Sequence, residues 1–403
     1  MVMNRRDVNT RNAHLLEMTL LVIAAGLAGL GLCGCARSTQ APANTAAPSS
    51  EPAADRVEIY FTWGAARQGT LLALPLDVES KSGVRDPLLV VELGENGYGV
   101  RKVIEGGGVF ASWSPGGDQL AFSREVNGEV SPLMRGSSIS LYSPETGSTM
   151  SLPNGYVDKF PIWRHDGSAI AFARLKFGDP LKGQFPECRL MIVPVRGGAL
   201  SEAQAAGYQL AGHTAEALQW RPLSDEIAYV GVGRPRFEDE KRVRLNDIYL
   251  LDVGKGKTRK LTHSGDVERY SIGWSPDGRH IAFATGLERL RSLEIMDVST
   301  GERRVVLRSS DPETRLQNIA NISWSPDGKW IVFDASRHEP GVQANIGIVE
   351  WPALKLEWLT RDSRSKAPRW SADGRILFIR SGTEIWRVMP NGSKLKKLYE
   401  VSR

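Results

Sequence analysis

The 403-residue chain carries 51 Lys and Arg residues against 46 Asp and Glu residues, a formal net charge of +5. This mild excess is typical of an ordinary mixed surface and is too small to argue for nucleic-acid binding. After residue 35 the only cysteine is Cys188, which excludes a disulfide framework and a cysteine metal site and is typical of a buried thiol.

The first 35 residues have the features of a lipoprotein signal peptide. Three arginines precede a 15-residue uncharged apolar run, 18–32, which is too short to span a bilayer comfortably. The run ends in Leu32-Cys33-Gly34-Cys35, which resembles a bacterial lipobox with Cys35 as the lipidated residue. We therefore predict export and lipid anchoring to the cell envelope, on the periplasmic or outer-surface side. An uncleaved signal anchor and an ordinary cleaved signal are the alternatives.

Residues 36–56 form a predicted disordered tether. The segment is rich in Ala, Pro, Ser and Thr and has no apolar periodicity, so it cannot bury a core. Several acyl chains at its start would hold the protein on a bilayer almost permanently. The rest of the chain, 57–403, is predicted to be one domain.

A short phrase recurs through that domain. Trp-Ser-Pro-Asp-Gly followed by an apolar Ile-Ala-Phe-like run is clearest at residues 274–283 and 324–333. Six tryptophans begin the phrase or a degenerate copy of it, at intervals of 50, 57, 54, 50 and 46 residues: Trp113, Trp163, Trp220, Trp274, Trp324 and Trp370. Ser, Pro, Asp and Gly suit the four positions of a type I β-turn. The tryptophans are read first as structural core between repeats.

Each repeat is predicted to be a four-stranded antiparallel meander. Third strands are expected at 248–253, 293–298 and 385–388, and fourth strands at 258–262, 303–307 and 395–399. A repeat of about 50 residues with four strands indicates an all-β fold, a β-propeller. Residues 57–104 around Trp63 are interpreted as a divergent first blade, which gives seven blades. Six or eight remain possible because the turn phrase is missing there.

These repeats resemble the TolB-like, WD40-like β-propeller family, whose signature is Trp-Ser-Pro-Asp-Gly before an Ile-Ala-Phe strand. The resemblance covers residues 57–403 and implies a propeller fold. TolB itself has a separate α/β domain before its propeller, and the tether stands in that place here. A role in the Tol–Pal system therefore does not carry over from the resemblance.

The two faces of such a propeller differ. The short turn phrases lie on one face, which we call the turn face. Long insertions fall on the opposite one, the insertion face, at 124–136, 175–187, 231–246 and 336–344. Loops on a rigid scaffold often carry function, so we predict a ligand-binding surface there. Its candidate residues in the third insertion are arginines suited to a carboxylate, phosphate or sugar acid: Arg234, Arg236, Arg242 and Arg244. A solvated hairpin whose acids and bases neutralise one another is the alternative.

Three histidines are predicted on the same face: His213 and His263 in crossovers between blades, and His338 in a second-to-third loop. A metal or general-base arrangement of the three would resemble that of propeller lyases acting on pectin fragments, which collect histidines at the channel mouth; incidental placement on three different blades is the alternative. No spacing motif supports a metal, and neither a metal nor a cofactor is predicted. The turn aspartates offer too few oxygens for calcium.

The sequence favours a non-catalytic binding or scaffolding module for a protein or small ligand. We expect a monomer that contacts the membrane through its anchor and binds no nucleic acid. The alternative is a propeller enzyme, a lyase or hydrolase of oligosaccharides, with its site at the loop-rich channel mouth. A small-ligand sensor is a third possibility, because propellers host all of these functions.

Overall fold

The protein is described here by a computed structural model, which covers nineteen ranges of the chain. They are 56–59, 64–65, 71–79, 87–94, 97–107, 110–131, 134–152, 157–176, 187–196, 199–200, 204–209, 213–233, 236–238, 241–243, 246–263, 267–287, 290–308, 316–337 and 344–401. The predicted signal peptide and Cys35 lie outside these ranges, as do nearly all of the tether and Trp63. Arg56 is the first residue of the first described strand.

All regular structure in the described ranges is β-strand. Ordered along the chain, the strands form antiparallel groups that we number as blades. Blade 1 contains β1 (Arg56–Ile59), β2 (Gly64–Ala65), β3 (Leu71–Glu79), β4 (Leu88–Gly94) and β5 (Gly97–Ile104). Blade 2 contains β6 (Ala111–Trp113), β7 (Leu120–Ser131), β8 (Met134–Tyr142) and β9 (Thr149–Ser151). Blade 3 contains β10 (Val157–Trp163), β11 (Ala169–Lys176), β12 (Glu187–Arg196), β13 (Ala199–Leu200) and β14 (Gln204–Gln209).

The remaining groups follow the same plan. Blade 4 contains β15 (His213–Trp220), β16 (Glu226–Gly233), a ribbon of β17 (Arg236–Glu238) and β18 (Lys241–Val243), then β19 (Asn246–Asp252) and β20 (Lys257–Lys260). Blade 5 contains β21 (Val267–Trp274), β22 (His280–Leu287), β23 (Leu290–Asp297) and β24 (Arg303–Arg308). Blade 6 contains β25 (Leu316–Trp324), β26 (Trp330–Arg337), β27 (Asn345–Glu350) and β28 (Lys355–Trp358). Blade 7 contains β29 (Ser365–Trp370), β30 (Ile376–Arg380), β31 (Glu384–Val388) and β32 (Lys396–Glu400).

The groups make a β-propeller. Blades 4 to 7 are four-stranded sheets with strands paired in chain order, and one parallel bridge between β8 and β10 joins blades 2 and 3. First strands of neighbouring blades contact one another, so they line a central axis. The all-β propeller prediction is therefore confirmed. The total of seven blades stays a prediction, because residues outside the described ranges separate several groups.

The core lies between neighbouring blades. The second strand of a blade is buried on both faces, which explains why its sequence is a short apolar run rather than an alternation. Its phenylalanine is fully buried in five blades: Phe122, Phe172, Phe283, Phe333 and Phe378. Each such side chain contributes about 1.5–3 kcal/mol through burial.

The ring is closed by contact between its first and last blades. Ile59 and Leu74 of blade 1 share one buried cluster with Leu377 and Ile379 of blade 7. The backbone N–H of Ile59 also donates to the carbonyl oxygen of Gly382 at 2.7 Å. No strand of blade 1 pairs with blade 7 across this junction in the described ranges, so side-chain packing supplies most of the closure.

The recurring phrase is a closed turn, as its residue types predict. In blade 5 the N–H of Gly278 donates to the carbonyl of Ser275 at 2.8 Å, and Gly278 has a φ of 66°, which glycine adopts without strain. The Ser275 hydroxyl donates to the carboxylate of Asp277 at 2.5 Å and accepts from the N–H of His280 at 2.8 Å. The repeated serine and aspartate therefore cap their own turn.

The insertion face contains more regular structure than the sequence suggests. Residues 124–136 largely extend β7 and β8 as a hairpin. In the third insertion β17 and β18 pair, with Arg236 opposite Val243 and Phe237 opposite Arg242. Among the described residues there is no helix long and apolar enough to cross a membrane.

Candidate functional site at the tryptophan-lined end of the channel

The first strands of the blades run towards the turn face and end in the repeated tryptophans, which places these side chains around one end of the axis. A cavity of about 420 Å³ lies there, with walls from five consecutive blades. Its lining is five indoles and the residues beside them: Trp113, Trp163, Trp220, Trp274, Trp324, Ser112, Pro115, Ile162, His165, Gln219, Pro222, Gly273, Ile322 and Ser323. We call this site the tryptophan mouth. Its volume falls within the range of small-molecule pockets, about 300–1,000 Å³.

Three indoles are bonded to the preceding blade through their N–H group. Trp163 Nε1 donates to the carbonyl of Ser112 at 3.0 Å, Trp324 Nε1 to that of Gly273 at 3.1 Å, and Trp370 Nε1 to that of Ser323 at 3.1 Å. Each acceptor belongs to the residue just before the preceding tryptophan. The bond is thus a repeated clasp between blades.

This clasp is absent at the junctions before Trp220 and Trp274, where both sides lie in the described ranges. The indole nitrogens of Trp220 and Trp274 are buried and have no hydrogen-bond partner among the described residues, and the same holds for Trp113. The three side chains are 9%, 7% and 8% exposed, respectively. A buried tryptophan usually finds an acceptor for its N–H, so these donors stand out.

Whether an indole forms the clasp correlates with the residue that follows the tryptophan of the preceding blade. Where that residue is Ser114, Ser275 or Ser325, the next indole is clasped; where it is Arg164 or Arg221, the next indole has no partner. Each arginine reaches forward over the next ring, Arg164 at 5.9 Å from the Trp220 centroid and Arg221 at 5.7 Å from that of Trp274. A cation–π contact thus replaces the clasp on both sides of blade 4.

The charges at the rim pair with one another. Arg164 forms ion pairs with Asp225 of the next blade and with Asp166. Arg221 pairs with Glu226 and donates from Nε to the carbonyl of Gly278 at 2.8 Å. Hydrogen bonds from the hydroxyl and N–H of Ser168 hold the pKa of Asp166 below its ordinary value. Each of these charged groups at the rim therefore has an ion-pair partner of opposite charge.

A second polar cluster, not predicted from the sequence, lies in the channel wall of blades 6 and 7. The buried Asp334 accepts from Asn321 Nδ2 at 2.9 Å and from the N–H of Ala367 at 2.5 Å. Arg369, just before Trp370, donates to the carbonyl of Pro368 at 2.9 Å. Desolvation raises the pKa of Asp334, although its hydrogen bonds to Ala367 and Asn321 act against the rise.

Positive φ values recur in the first strands beside this wall. Phe160, Ala217, Asn321 and Ala367 have φ between 51° and 58°, and each lies three residues before its tryptophan. Strand register shifts at the same points, which identifies a repeated β-bulge. The bulge turns the N–H of Ala367 towards Asp334.

The predicted histidines are only partly described. His213 is the first residue of β15 rather than part of a crossover, and nothing is described of its side chain. His263 follows β20 and is exposed, and His338 lies outside the described ranges. Their convergence stays a prediction. Within the described residues no group of three or more His, Cys, Asp or Glu side chains could hold a metal ion.

The predicted arginines of the third insertion are likewise only partly described. Arg236 and Arg242 lie on the β17–β18 ribbon, of which only the backbone is described, and Arg234 and Arg244 lie outside the described ranges. Cys188 is buried, as predicted for a structural thiol. The arginine site on the insertion face stays a prediction.

Some known proteins resemble the chain in sequence over part of its length. No family model matches the chain. A stretch of 124 residues is 30% identical to one component of eukaryotic translation initiation factor 3 from Cryptococcus neoformans, and this match covers 29% of the chain but 16% of that protein. A stretch of 159 residues is 26% identical to dipeptidyl-peptidase 5 of Porphyromonas gingivalis, covering 38% of the chain and 22% of that protein. The chain thus spans a small part of the length of these curated relatives.

Two of the similar solved structures illustrate that the architecture is shared over most of the chain. An oligogalacturonate lyase from Vibrio parahaemolyticus has a TM-score of 0.58 and 14% identity, covering 86% of this chain and 91% of its own. The β-propeller domain of the trilobed protease from Pyrococcus furiosus has a TM-score of 0.58 and 15% identity, covering 86% and 99%. At these identities the likeness shows the fold alone. The chain is a β-propeller, as the TolB-like resemblance of its repeats implies.

Proposed function

We propose that this chain is a non-catalytic binding module, lipid-anchored in the cell envelope, whose ligand occupies the tryptophan mouth. The observation that carries the proposal is the cavity of about 420 Å³ at the end of the channel, walled by five consecutive blades. A concave site of this size, with apolar rings and a few polar groups, is the usual form of a small-molecule pocket.

The scaffold supports such a role. The wall residues sit at the ends of paired strands, and the tryptophans among them are at least 91% buried, so the cavity keeps its shape without a ligand. A preorganised site loses little conformational entropy when a ligand binds. The predicted signal, lipobox and tether supply the envelope location, and the predicted insertion-face surface remains available for a protein partner.

The binding role is tested on the purified full-length protein in detergent. Thermal unfolding is recorded in the presence of separate sets of neutral sugars, amino acids, organic acids and phosphorylated metabolites. A ligand that binds the folded state raises the unfolding temperature in a saturable way. If no set does so, the proposal of a small-molecule binding module fails.

The anchor is tested separately. Cys35→Ser should move the protein from the membrane fraction to the soluble fraction, because the lipidated residue is lost, whereas Cys33→Ser serves as the matched control and should leave it membrane-bound. Continued membrane attachment of Cys35→Ser would contradict lipidation and favour a retained signal anchor. The enzyme alternative remains the sequence prediction stated above.

A further inference from the structure

The outer strand of blade 1 differs in length from the outer strands of the other blades. Strand β5 has eight residues, whereas the outermost strands of the other blades have between two and six. It pairs with β4 on one side, and no described strand pairs with its other side. A long strand with a free side presents unpaired N–H and C=O groups to which another extended chain can bind. We call this free side the β5 edge.

Three apolar side chains of β5 are exposed to solvent. Tyr98 is 53% exposed, and Val100 and Val103 are each 49% exposed. No other strand whose side chains are described has more than one exposed large apolar side chain. Exposed apolar groups that cluster on a protein surface mark interaction sites, so these three distinguish the β5 edge from the other outer strands.

A β-bulge brings the three side chains to one face of the sheet. The register of β4 and β5 shifts between residues 90 and 91, which makes Arg101 an extra residue on β5. Without this residue Val103 would lie on the opposite face from Val100, since side chains alternate along a strand. The residues opposite the three side chains on β4 all belong to the apolar junction with blade 7: Leu93, Val91 and Leu89.

The three side chains therefore extend that junction to the surface. Tyr98 makes the contact across it, because its ring packs edge-on against the ring of Tyr399 in blade 7 with 4.7 Å between the centroids. An added strand beside β5 would cover Val100 and Val103 and remove their apolar surface from water.

The β5 edge also has an unpaired positive charge. Arg101 forms an ion pair with Glu92 at 3.3 Å and donates to the carbonyl of Pro144 at 2.9 Å. Lys102 is exposed and has no ion pair with a described residue. Opposite charges on neighbouring strands stabilise a sheet, so a strand with an acidic residue beside Lys102 complements this edge.

We infer that the β5 edge binds an extended segment of another protein, which adds a strand to blade 1 and carries alternating apolar residues with an acidic residue among them. In this mode of recognition the main-chain hydrogen bonds supply affinity, and side chains at alternate positions supply specificity. The interaction surface goes beyond the proposed function, because it depends neither on the tryptophan mouth nor on its ligand.

Two other occupants complement the β5 edge less well. Antiparallel pairing of two copies about the middle of β5 would bring Arg101 and Lys102 of both copies together, and facing like charges destabilise a sheet. The chain's own predicted tether contains Pro42, Pro48 and Pro52, and proline cannot donate a hydrogen bond to a strand ladder. A separate acidic segment meets neither obstacle.

The test uses the full-length protein in detergent and a set of fluorescent peptides of about nine residues, a length that covers all of β5. Alternate positions carry valine, isoleucine or tyrosine, and the positions between them carry threonine alone, threonine with glutamate, or threonine with lysine. Fluorescence polarisation should show saturable binding that is tightest for glutamate peptides and weakest for lysine peptides. Hydrogen exchange with the tightest peptide should show new protection of the β5 amides and none of the β24 amides.

Variants on different outer strands separate the β5 edge from the rest of the surface. The double variant Val100→Thr, Val103→Thr keeps the β-branched shape and should weaken binding about 2–10-fold through lost cross-strand apolar contacts. Val305→Thr on β24 is its matched control and should change nothing. Lys102→Glu should reverse the preference between glutamate and lysine peptides, whereas Lys257→Glu on β20 should preserve it. Far-ultraviolet circular dichroism confirms that each variant is folded.

Four results would overturn the inference. Absence of binding across the set, or equal binding of glutamate and lysine peptides, would remove the acidic partner strand. Equal weakening by Val305→Thr and by the double variant would place the peptide elsewhere. Dimers in sedimentation velocity that the double variant abolishes would assign the β5 edge to a second copy. Exchange of the β5 amides as slow as that of the β4 amides in the free protein would show that a segment of this chain already covers the edge.

Discussion

Asp334 offers the sharpest test of how neighbouring blades are held together. It lies on the second strand of blade 6, is 6% exposed, and accepts from Asn321 of its own blade and from the N–H of Ala367 in blade 7. Asp334→Ala removes the acceptor of two buried donors at once. It also leaves Arg369 without the attraction of the nearby carboxylate.

The magnitude follows from these contacts. A buried donor left unsatisfied costs about 1–3 kcal/mol, and removing one member of a buried charged cluster costs about 3–5 kcal/mol. We expect Asp334→Ala to lower the free energy of unfolding by about 3–5 kcal/mol, a large share of the roughly 5–15 kcal/mol of a folded domain. Asp334→Asn keeps an amide oxygen for both donors and should lose less than half as much.

Equilibrium urea unfolding at neutral pH, followed by tryptophan fluorescence, measures these differences. Glu357→Ala in the same blade is the control, because it breaks only the exposed ion pair with Lys355 at 2.6 Å and should change stability by about 0.5 kcal/mol or less. If Asp334→Ala and Glu357→Ala are destabilised to the same small extent, the cluster does not join the blades and the reasoning is refuted.

Two further predictions concern a glycine and the turn aspartates. Gly347→Ala would place a methyl group 2.4 Å from Cζ of the buried Phe333 and should lower the free energy of unfolding in urea by about 1–3 kcal/mol. The control Gly99→Ala, whose methyl group would meet no atom within 4 Å, should be neutral or slightly stabilising. Similar losses of stability in both variants would show that crowding is not the cause. The pKa values of Asp166 and Asp327 are lowered by the hydroxyl groups of their turn serines. The two carboxylates therefore stabilise the fold at pH values above the ordinary pKa of 3.8, and this stabilisation is lost as the pH falls through their folded-state pKa values. In a double Asp166→Asn, Asp327→Asn variant the urea midpoint should fall less between pH 5 and pH 3, because the contribution of two carboxylates is missing. If the urea midpoint of the variant depends on pH as that of the unmodified protein does, this assignment is contradicted.

Much of the fold follows from local sequence. The phrase at 274–278 specifies a turn through residues adjacent in the chain, and the apolar run after it marks a strand buried on both faces. Such signals need no knowledge of distant neighbours. The strands therefore fall close to the ranges predicted for them, including 248–253, which is observed as Asn246–Asp252.

The candidate site was less accessible to sequence reasoning. The prediction looked to the long insertions and read the tryptophans first as structural core, whereas the cavity lies among the tryptophans on the turn face. Its unpartnered donors depend on contacts between residues more than 50 positions apart, such as Arg164 with Trp220. The signal that could have found them is the arginine that follows Trp163 and Trp220 in place of serine.

The direction of the first strand has a consequence for how the protein would stand on a membrane. Strand β1 begins at Arg56 on the insertion face and the chain runs from there towards the turn face, as in every other blade. The predicted tether, 36–56, would reach roughly 25 Å as a random coil. A lipid anchor at its start would therefore attach the protein from the insertion face, at the end of the channel opposite the tryptophan mouth, which would stay open to the aqueous compartment where solutes arrive by free diffusion.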